Sequence, residues 1–232
     1  MHPTAIMNCK NFFDVYSKSF SDREHVRVIE IGSQDVNGSL RSLCPKNFEY
    51  IGVDFVPGKG VDVILTDPYA LPFSDEYADI VISSSCFEHS QMFWLVFLEV
   101  MRVLKPHGLF YLNVPSNGSF HRYPVDCWRF YPDSGNALIA WARRNKINAS
   151  LLESFVCDQL DNLAGWNDFV AVFLKNDAYA SDFGERIVDT FDDFKNGMCG
   201  EDNDILHFSE STYDFKKLLF ISQVINNQIK IA

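Results

Sequence analysis

Two short β-branched runs constrain the fold of this chain more than any other feature. Val28–Ile31 carries Glu30 and stops at Gly32, and Tyr50–Val53 runs directly into Asp54. Runs of this kind are typical of buried parallel strands, whose carboxyl ends meet at one edge of a sheet. A carboxylate at that edge can accept both hydroxyls of a ribose, and a glycine lets the backbone approach a ligand. The pattern predicts a nucleoside-binding edge, although a strand–turn pair in any doubly wound domain would look the same.

The composition indicates one large folded domain with an appendage. The 232 residues are 47% hydrophobic and 15% aromatic, which excludes general disorder. The sequence has neither a signal-peptide pattern nor a run of about 18 uncharged apolar residues, so we expect a cytoplasmic protein without a membrane span. Six cysteines are spread along the chain without a CxxC pair, which predicts plain thiols and no metal site.

The negative charge is concentrated near the carboxyl terminus. The whole chain has a net charge of −11, and residues 176–215 alone account for −9. The rest of the chain is therefore nearly neutral and has no basic stripe for a phosphate backbone, so we expect no nucleic-acid partner. We predict a domain over 1–175 and an acidic extension over 176–232.

Strand-like and helix-like patterns alternate along the chain. The periodicities predict helices over residues 7–20, 38–44, 91–104 and 133–146. They predict strands over residues 26–31, 49–53, 61–65, 79–84, 109–114, 151–156 and 169–174. This order predicts an α/β fold of the Rossmann-like doubly wound type, with a mostly parallel sheet and an antiparallel hairpin at one edge.

Five motifs in this order resemble the class I S-adenosylmethionine-dependent methyltransferases of the type 11 kind. They are Glu30-x-Gly32, Gly52-Val53-Asp54, Asp67-x-x-x-Leu-Pro-Phe73, Phe87-Glu88-His89 and Arg102-Val-Leu-Lys-Pro-x-Gly108. The resemblance covers roughly residues 25 to 175, and it implies a seven-stranded sheet with a reversed last strand. It also implies an enzyme that uses S-adenosyl-L-methionine and releases S-adenosyl-L-homocysteine.

The family pattern implies a set of cofactor-binding residues. Carried over position by position, these are Glu30, Gly32 and Ser33 beneath the methionine part, Asp54 at the ribose, Phe55, Asp67 and Pro68 at the adenine, and Ser85 and Cys86 at the methyl donor. Asp67 could instead be a turn residue before its proline. The chain departs from the family's common Gly-x-Gly-x-Gly loop, because Gln34 and Val36 replace the second and third glycines.

The connection from Pro115 to Pro132 is the predicted acceptor side. A loop of this length inside a compact domain is usually functional. We predict His121 and Asp126 as catalytic residues with His89 as a second candidate base, and Tyr123, Trp128 and Arg129 as substrate-binding residues. Trp128 could equally pin the loop to the core while Arg129 pairs with an acid.

Similar loops, with a Tyr-Pro-x-Asp-x-Trp-Arg-Phe core, occur in methyltransferases of sugar and surface-glycan pathways. This resemblance makes O-methylation of a saccharide, or of another small hydroxylated acceptor, the predicted reaction. A degenerate member that serves as a binding or scaffold subunit is the alternative. A nicotinamide-dependent oxidoreductase is disfavoured, because Tyr213-x-x-x-Lys217 is not preceded by the required glycine-rich turn.

The acidic extension carries a helix-like pattern. Apolar residues recur at three- and four-residue steps at Phe183, Ile187, Val188, Phe191 and Phe194. This spacing predicts an amphipathic helix that docks on its own domain or contributes to a homodimer.

Overall fold

One mixed eight-stranded sheet organises the chain. A computed structural model describes residues 2–159, 165–200 and 204–229. The helices are α1 Pro3–Tyr16, α2 Phe93–Val103, α3 Ser134–Arg144 and α4 Tyr213–Ile225. The strands are β1 Arg27–Ile31, β2 Glu49–Asp54, β3 Val63–Ile64, β4 Ala78–Ser84, β5 Leu104–Pro115, β6 Ser150–Cys157, β7 Asp168–Leu174 and β8 Phe194–Cys199.

The strand order is β3-β2-β1-β4-β5-β7-β6-β8. The first five strands are parallel, whereas β7 runs antiparallel to both β5 and β6. The predicted Rossmann-like, mostly parallel α/β fold is confirmed, and the predicted number of seven strands is too low. The eighth strand, β8, pairs antiparallel with β6 and forms the outer edge, so the β6–β7 hairpin is internal.

Helices cover both faces of the sheet. On one face, α1 begins with a proline, which suits the first helical turn. Its Phe12 ring lies 4.9 Å from the Tyr111 ring of β5, measured between centroids. On the other face, the Trp141 indole of α3 donates a 3.0 Å hydrogen bond to the Trp94 carbonyl of α2. The central strands are buried on both faces, as expected of near-continuous apolar runs.

Most predicted elements lie near their predicted positions, with three local differences. The helix predicted over 7–20 runs from Pro3 to Tyr16 and is followed by a 3₁₀ turn, Ser17–Phe20. The helix predicted over 38–44 is only a 3₁₀ turn, Arg41–Leu43. The helix predicted to end near Leu104 ends at Val103, and the Lys-Pro-His-Gly segment that follows is already part of β5. A proline is tolerated there because it lies near the start of the strand.

The amphipathic helix predicted over Phe183–Phe194 is wrong. The segment instead forms a 3₁₀ turn, Ile187–Asp189, and then enters β8. The Glu153 carboxylate of β6 is fully buried and accepts the backbone N–H groups of Ile187 and Val188 at 2.8 and 3.0 Å. This side chain thereby satisfies donors at the start of the turn, and the segment docks on its own sheet.

The last helix, α4, keeps a broad apolar surface exposed. Its large exposed side chains include Phe215, Leu218, Leu219, Phe220 and Ile225. Near its first turn, the Asp214 carboxylate accepts a 2.9 Å hydrogen bond from the Asn117 amide. The homodimer stays a prediction.

None of the helices in the described ranges is long and apolar enough to cross a membrane.

Truncation tests the docking of the extension. A chain that ends at Lys175 loses β8 and five buried apolar side chains, Phe183, Ile187, Val188, Phe194 and Met198. Burial of one such side chain contributes about 1.5–3 kcal/mol, so we expect the free energy of unfolding to fall by at least about 4 kcal/mol in urea denaturation. A chain that ends at Ser211 lacks only the exposed α4 and is the control. Equal stability of the Lys175 truncation and the full chain would contradict the docking.

Candidate functional site

A cavity of about 690 Å³ opens at the carboxyl edge of the parallel strands. The register aligns Ile31 of β1 with Val53 of β2 and with Ser83 of β4, so the loops after these three strands emerge side by side. The volume lies within the range of small-molecule sites in proteins. Six of the nine predicted cofactor residues line the cavity: Gly32, Asp54, Phe55, Pro68, Ser85 and Cys86.

Asp54 is the best-placed carboxylate for a ribose. It ends β2 and is 8% exposed. Its two oxygens accept the backbone N–H groups of Gln34 at 3.2 Å and Val56 at 3.1 Å. These two bonds fix the carboxylate and leave each oxygen with acceptor capacity for a ligand hydroxyl.

The loop after β1 makes its turn without the second and third family glycines. A left-handed backbone is adopted only at Gly32 (φ 79°) and Gly38 (φ 120°) within residues 32–38. The Asp35 side chain accepts the backbone N–H of Gly38 at 2.9 Å, which closes the turn as Asx-type turns do. Gln34 and Val36 therefore need no glycine, and both line the cavity.

Two predicted cofactor residues lie behind the cavity wall. Glu30 is 2% exposed and accepts a 2.6 Å hydrogen bond from the Tyr50 hydroxyl. The side chain of Ser33 is buried against Gly52 on the neighbouring strand. Neither residue lines the cavity, because both side chains point into the sheet packing. Burial also raises the pKa of Glu30 to about 7.

The raised pKa of Glu30 makes the free energy of unfolding depend on pH. The folded chain holds the Glu30 proton up to about pH 7, whereas the unfolded chain releases it near 4.5, so this group destabilises the fold as pH rises between those values. Relative to wild type, we expect Glu30→Gln to gain on the order of 3 kcal/mol in the free energy of unfolding between pH 4 and pH 8. Urea denaturation at both pH values measures this, with Glu49→Gln, an exposed carboxyl on β2, as the control. A pH-independent difference between Glu30→Gln and wild type would contradict it.

Asp67, the third predicted residue outside the cavity, is part of a turn. Its carboxylate accepts the backbone N–H of Tyr69 at 2.8 Å and its side chain faces solvent. The apolar residues Phe55, Leu65, Pro68 and Tyr69, in contrast, line the cavity. A role of Asp67 at the adenine amine stays a prediction.

The loop after β4 forms the floor of the cavity. Ser85 adopts a left-handed backbone (φ 50°), which is uncommon for a residue other than glycine and is concentrated at functional sites. A side chain at Gly32 would place its Cβ 2.7 Å from that of Cys86, so the glycine is needed for close packing here. Burial raises the pKa of the Cys86 thiol to about 12, which keeps it neutral and suits a wall residue rather than a nucleophile.

The predicted acceptor loop is fastened to the 3₁₀ turn Phe87–His89 after β4. The Glu88 carbonyl accepts the backbone N–H of Cys127 at 2.8 Å, and a ring nitrogen of His89, Nδ1, bonds to the Val125 carbonyl. Residues 121–125 of this loop line the cavity.

Two imidazoles are in edge-to-face contact in this part of the cavity. His89 and His121 both line it, and their ring centroids are 4.9 Å apart. Because a carbonyl can only accept, Nδ1 of His89 carries the proton and Nε2 is left as the proton acceptor of the neutral ring. Burial lowers the pKa of His89, which favours that neutral form. This geometry suits a general base.

Glu88 is the buried carboxyl of the same cluster. It is 1% exposed, and its Oε1 lies 3.7 Å from Nε2 of His89. Its other oxygen has no hydrogen-bond partner among the described residues. Burial raises the pKa of Glu88 to about 8.

Asp126 positions the loop and lies outside the cavity lining. The Arg129 guanidinium donates hydrogen bonds to the two carboxylate oxygens of Asp126 at 2.6 and 2.9 Å. The backbone N–H of His121 donates to the same carboxylate at 2.7 Å. Arg129 lowers the pKa of Asp126 to about 2, so the group is a permanent carboxylate and a poor base. The structure thus brings His89 and His121 to the cavity and keeps Asp126 behind them.

Of the three predicted substrate residues, only Tyr123 lines the cavity. Its hydroxyl donates a 2.9 Å hydrogen bond to the Gln34 side chain on the opposite rim. The Trp128 indole donates to the Ser90 carbonyl at 2.8 Å and packs on Phe93, which is the pinning alternative. Arg129 pairs with Asp126, so the alternative in which Arg129 pairs with an acid describes its contacts.

The sequence reasoning passed over Gln34, Tyr69, Gln91 and His2, which all line the cavity. Gln34 and Tyr69 adjoin motif residues, so their neighbourhood in sequence was a usable signal. His2 had no such signal, because it reaches the cavity only through the docking of α1 and the 5.2 Å ring contact with Trp166.

Comparison with known proteins agrees with this geometry. Residues 30–112 match the family model of a methyltransferase domain. The phthiotriol/phenolphthiotriol dimycocerosates methyltransferase of Mycobacterium tuberculosis is 34% identical over 96 residues, 40% of this chain and 32% of that protein. Its Mycobacterium leprae counterpart is 33% identical over 123 residues, 51% of this chain and 38% of that protein. The matched part thus spans about a third of the length of these curated relatives.

A solved structure supports the fold. The Burkholderia thailandensis 1,6-didemethyltoxoflavin-N1-methyltransferase, crystallised with 1,6-didemethyltoxoflavin and S-adenosylhomocysteine, has a TM-score of 0.55 at 14% identity. The match covers 75% of this chain and 79% of that chain. The family match supports a methyltransferase domain over residues 30–112, and the solved structure supports the fold. Neither curated relative is named for a saccharide, so the glycan-pathway resemblance stays a prediction.

Proposed function

We propose that this chain transfers the methyl group of S-adenosyl-L-methionine to a hydroxyl of a small acceptor and releases S-adenosyl-L-homocysteine. The observation that carries the proposal is the position of Asp54. It ends β2 inside a cavity of suitable volume, and its carboxylate is oriented by two backbone N–H groups. The family match over residues 30–112 supports the same assignment.

The residues present fit the cofactor. Asp54 would accept from the ribose hydroxyls, and the apolar side chains of Phe55, Leu65 and Pro68 would contact the base. Gly32 and Cys86, which follow β1 and β4, also line the cavity and would contact the methionine part. When bound, S-adenosylmethionine supplies an electrophilic methyl group on a sulfonium.

Methyl transfer then asks the protein for alignment and a base. The bound cofactor would supply the methyl group to the acceptor oxygen, and its sulfur would keep the electron pair of the broken carbon–sulfur bond. The hydroxyl proton passes to Nε2 of His89, whose Nδ1–H is held by the Val125 carbonyl. His121 is the second candidate base, and Asp126 with Arg129 holds its loop.

The acceptor is proposed to be a small hydroxylated molecule, with a saccharide as the first candidate. The acceptor side of the cavity presents polar groups of His89, Gln91, His121 and Arg122 beside the ring of Tyr123. Polar side chains next to an aromatic face suit a polyhydroxylated ring. The mycobacterial relatives are named as methyltransferases of phthiotriol and phenolphthiotriol dimycocerosates.

A catalytically degenerate binding or scaffold subunit is the competing function. Its two motives are the missing loop glycines and the acidic tail, and the first loses its force because neither Gln34 nor Val36 adopts a left-handed backbone.

Replacement of Asp54 tests the cofactor site. We expect Asp54→Ala to weaken S-adenosylhomocysteine binding by about 1.5–3 kcal/mol in calorimetry, because a charged hydrogen-bond acceptor is lost. Asp22→Ala, an exposed carboxylate before β1, is the matched control and should bind as wild type does. Undiminished binding by Asp54→Ala would remove this residue from the site, and no binding by the wild type would favour the scaffold.

Replacement of the histidines tests the base. We expect His89→Ala to lower the methyl-transfer rate by roughly 10²- to 10⁴-fold with little change in cofactor binding. Because burial lowers the pKa of His89, the wild-type rate should be flat near neutrality and fall only below about pH 6.5. The comparison with His121→Ala assigns the base to one ring or the other. Normal turnover of both variants with a cognate acceptor would place the base elsewhere.

A further inference from the structure

Three metal-binding side chains converge beside the acceptor side of the cavity. Glu88, His89 and His121 each offer one ligand atom, and these atoms all lie within 4.8 Å of one another. We propose that Glu88, His89 and His121 bind a divalent transition-metal ion of the zinc type, and that this ion holds an oxygen of the methyl acceptor. This departs from the expectation that the chain has no metal site.

The donor set suits such an ion. Two imidazoles and one carboxylate are a set found in catalytic zinc sites, which keep further positions open for water or substrate. A common ion about 2.1 Å from each donor places ligand atoms about 3–3.5 Å apart. The measured 3.7 Å between Nε2 of His89 and Oε1 of Glu88 is close to that spacing.

Both histidines are oriented as metal ligands are. A ligating histidine usually donates its other ring N–H to a carbonyl or carboxylate. Nδ1 of His89 bonds to the Val125 carbonyl, and Nδ1 of His121 lies 3.1 Å from the Ser119 carbonyl. The same Nδ1 of His121 also lies 3.4 Å from the Asp126 carboxylate. These contacts leave the second nitrogen of each ring as the lone-pair donor.

The buried oxygen of Glu88 is an independent indication. Oε2 is inaccessible to solvent and has no hydrogen-bond partner within the described ranges. An unsatisfied buried carboxylate oxygen is costly, and ligation of a cation would satisfy it. Asp126 cannot serve in its place, because Arg129 already occupies both of its oxygens.

Only the catalytic role of the ion rests on the proposed methyl transfer. With the ion bound, Nε2 of His89 would be a metal ligand and could no longer accept a proton, so the ion would replace that ring in activating the acceptor. The acceptor hydroxyl would ligate the ion, which lowers the pKa of the hydroxyl, and its proton would leave to water. The oxygen–carbon bond then forms as the carbon–sulfur bond breaks. An acceptor with a hydroxyl and a neighbouring oxygen could ligate the ion through both atoms, which favours a vicinal diol.

Calorimetric titration of the chelator-treated full chain with Zn²⁺ tests the site. We expect one ion per chain, and affinity at least tenfold weaker in Glu88→Gln, His89→Ala and His121→Ala. The matched controls are His25→Ala, an exposed histidine before β1, and Cys127→Ser, which removes an exposed thiol; both should bind as wild type does.

Glu88→Gln keeps the size of the side chain, so thermal melting of each ion-free variant separates loss of a ligand from loss of the fold. No stoichiometric binding, binding that survives all three ligand variants, or binding lost in the controls would each overturn the site. Calorimetry with S-adenosylhomocysteine is run in parallel. Zn²⁺ binding without cofactor binding would overturn the methyl-transfer function and leave the metal site standing, and the reverse result would do the opposite.

Discussion

The parallel pairing of β1 between β2 and β4 is the constraint on which the site depends. This pairing places Ile31, Val53 and Ser83 in one row, so that three loops leave the sheet at the same level. The Asp54 carboxylate, the turn at Gly32 and the left-handed Ser85 are brought together by that row. A shift of any one of these strands by a single residue would turn the side chains of that strand to the other face of the sheet.

Much of this arrangement could be predicted from local sequence. The β-branched runs fixed the central strands because parallel strands are buried on both faces and need no alternation. Asp54 could be assigned since its role follows from its place at a strand end. The prediction of a helix over Phe183–Phe194 was wrong for a non-local reason. The apolar residues of this segment are buried against the sheet, and the backbone N–H groups of Ile187 and Val188 donate to Glu153 of β6. No residue near Phe183 in sequence carries that information.

The site shows the same division between local and distant causes. Glu30 lies in a motif, but its contact with Tyr50 of the adjacent strand draws it into the protein interior. Trp128 is of a residue type that often binds ligands. Here its ring packs against Phe93, and its indole N–H donates to the Ser90 carbonyl. The pairing of His89 with His121 joins a 3₁₀ turn to a distant loop, so sequence could name both residues but not their contact.

The eighth strand also changes what the sheet presents to other molecules. Without β8, strand β6 would leave a row of unpaired N–H and C=O groups at the edge, and such an edge is a template for pairing with other chains. β8 brings Lys195 and the surrounding acidic residues to that boundary, and a bridge between Gly197 and Leu206 covers part of its outer side. The acidic extension, which the sequence predicts to be an appendage, thereby covers an edge of the sheet that could otherwise pair with another chain.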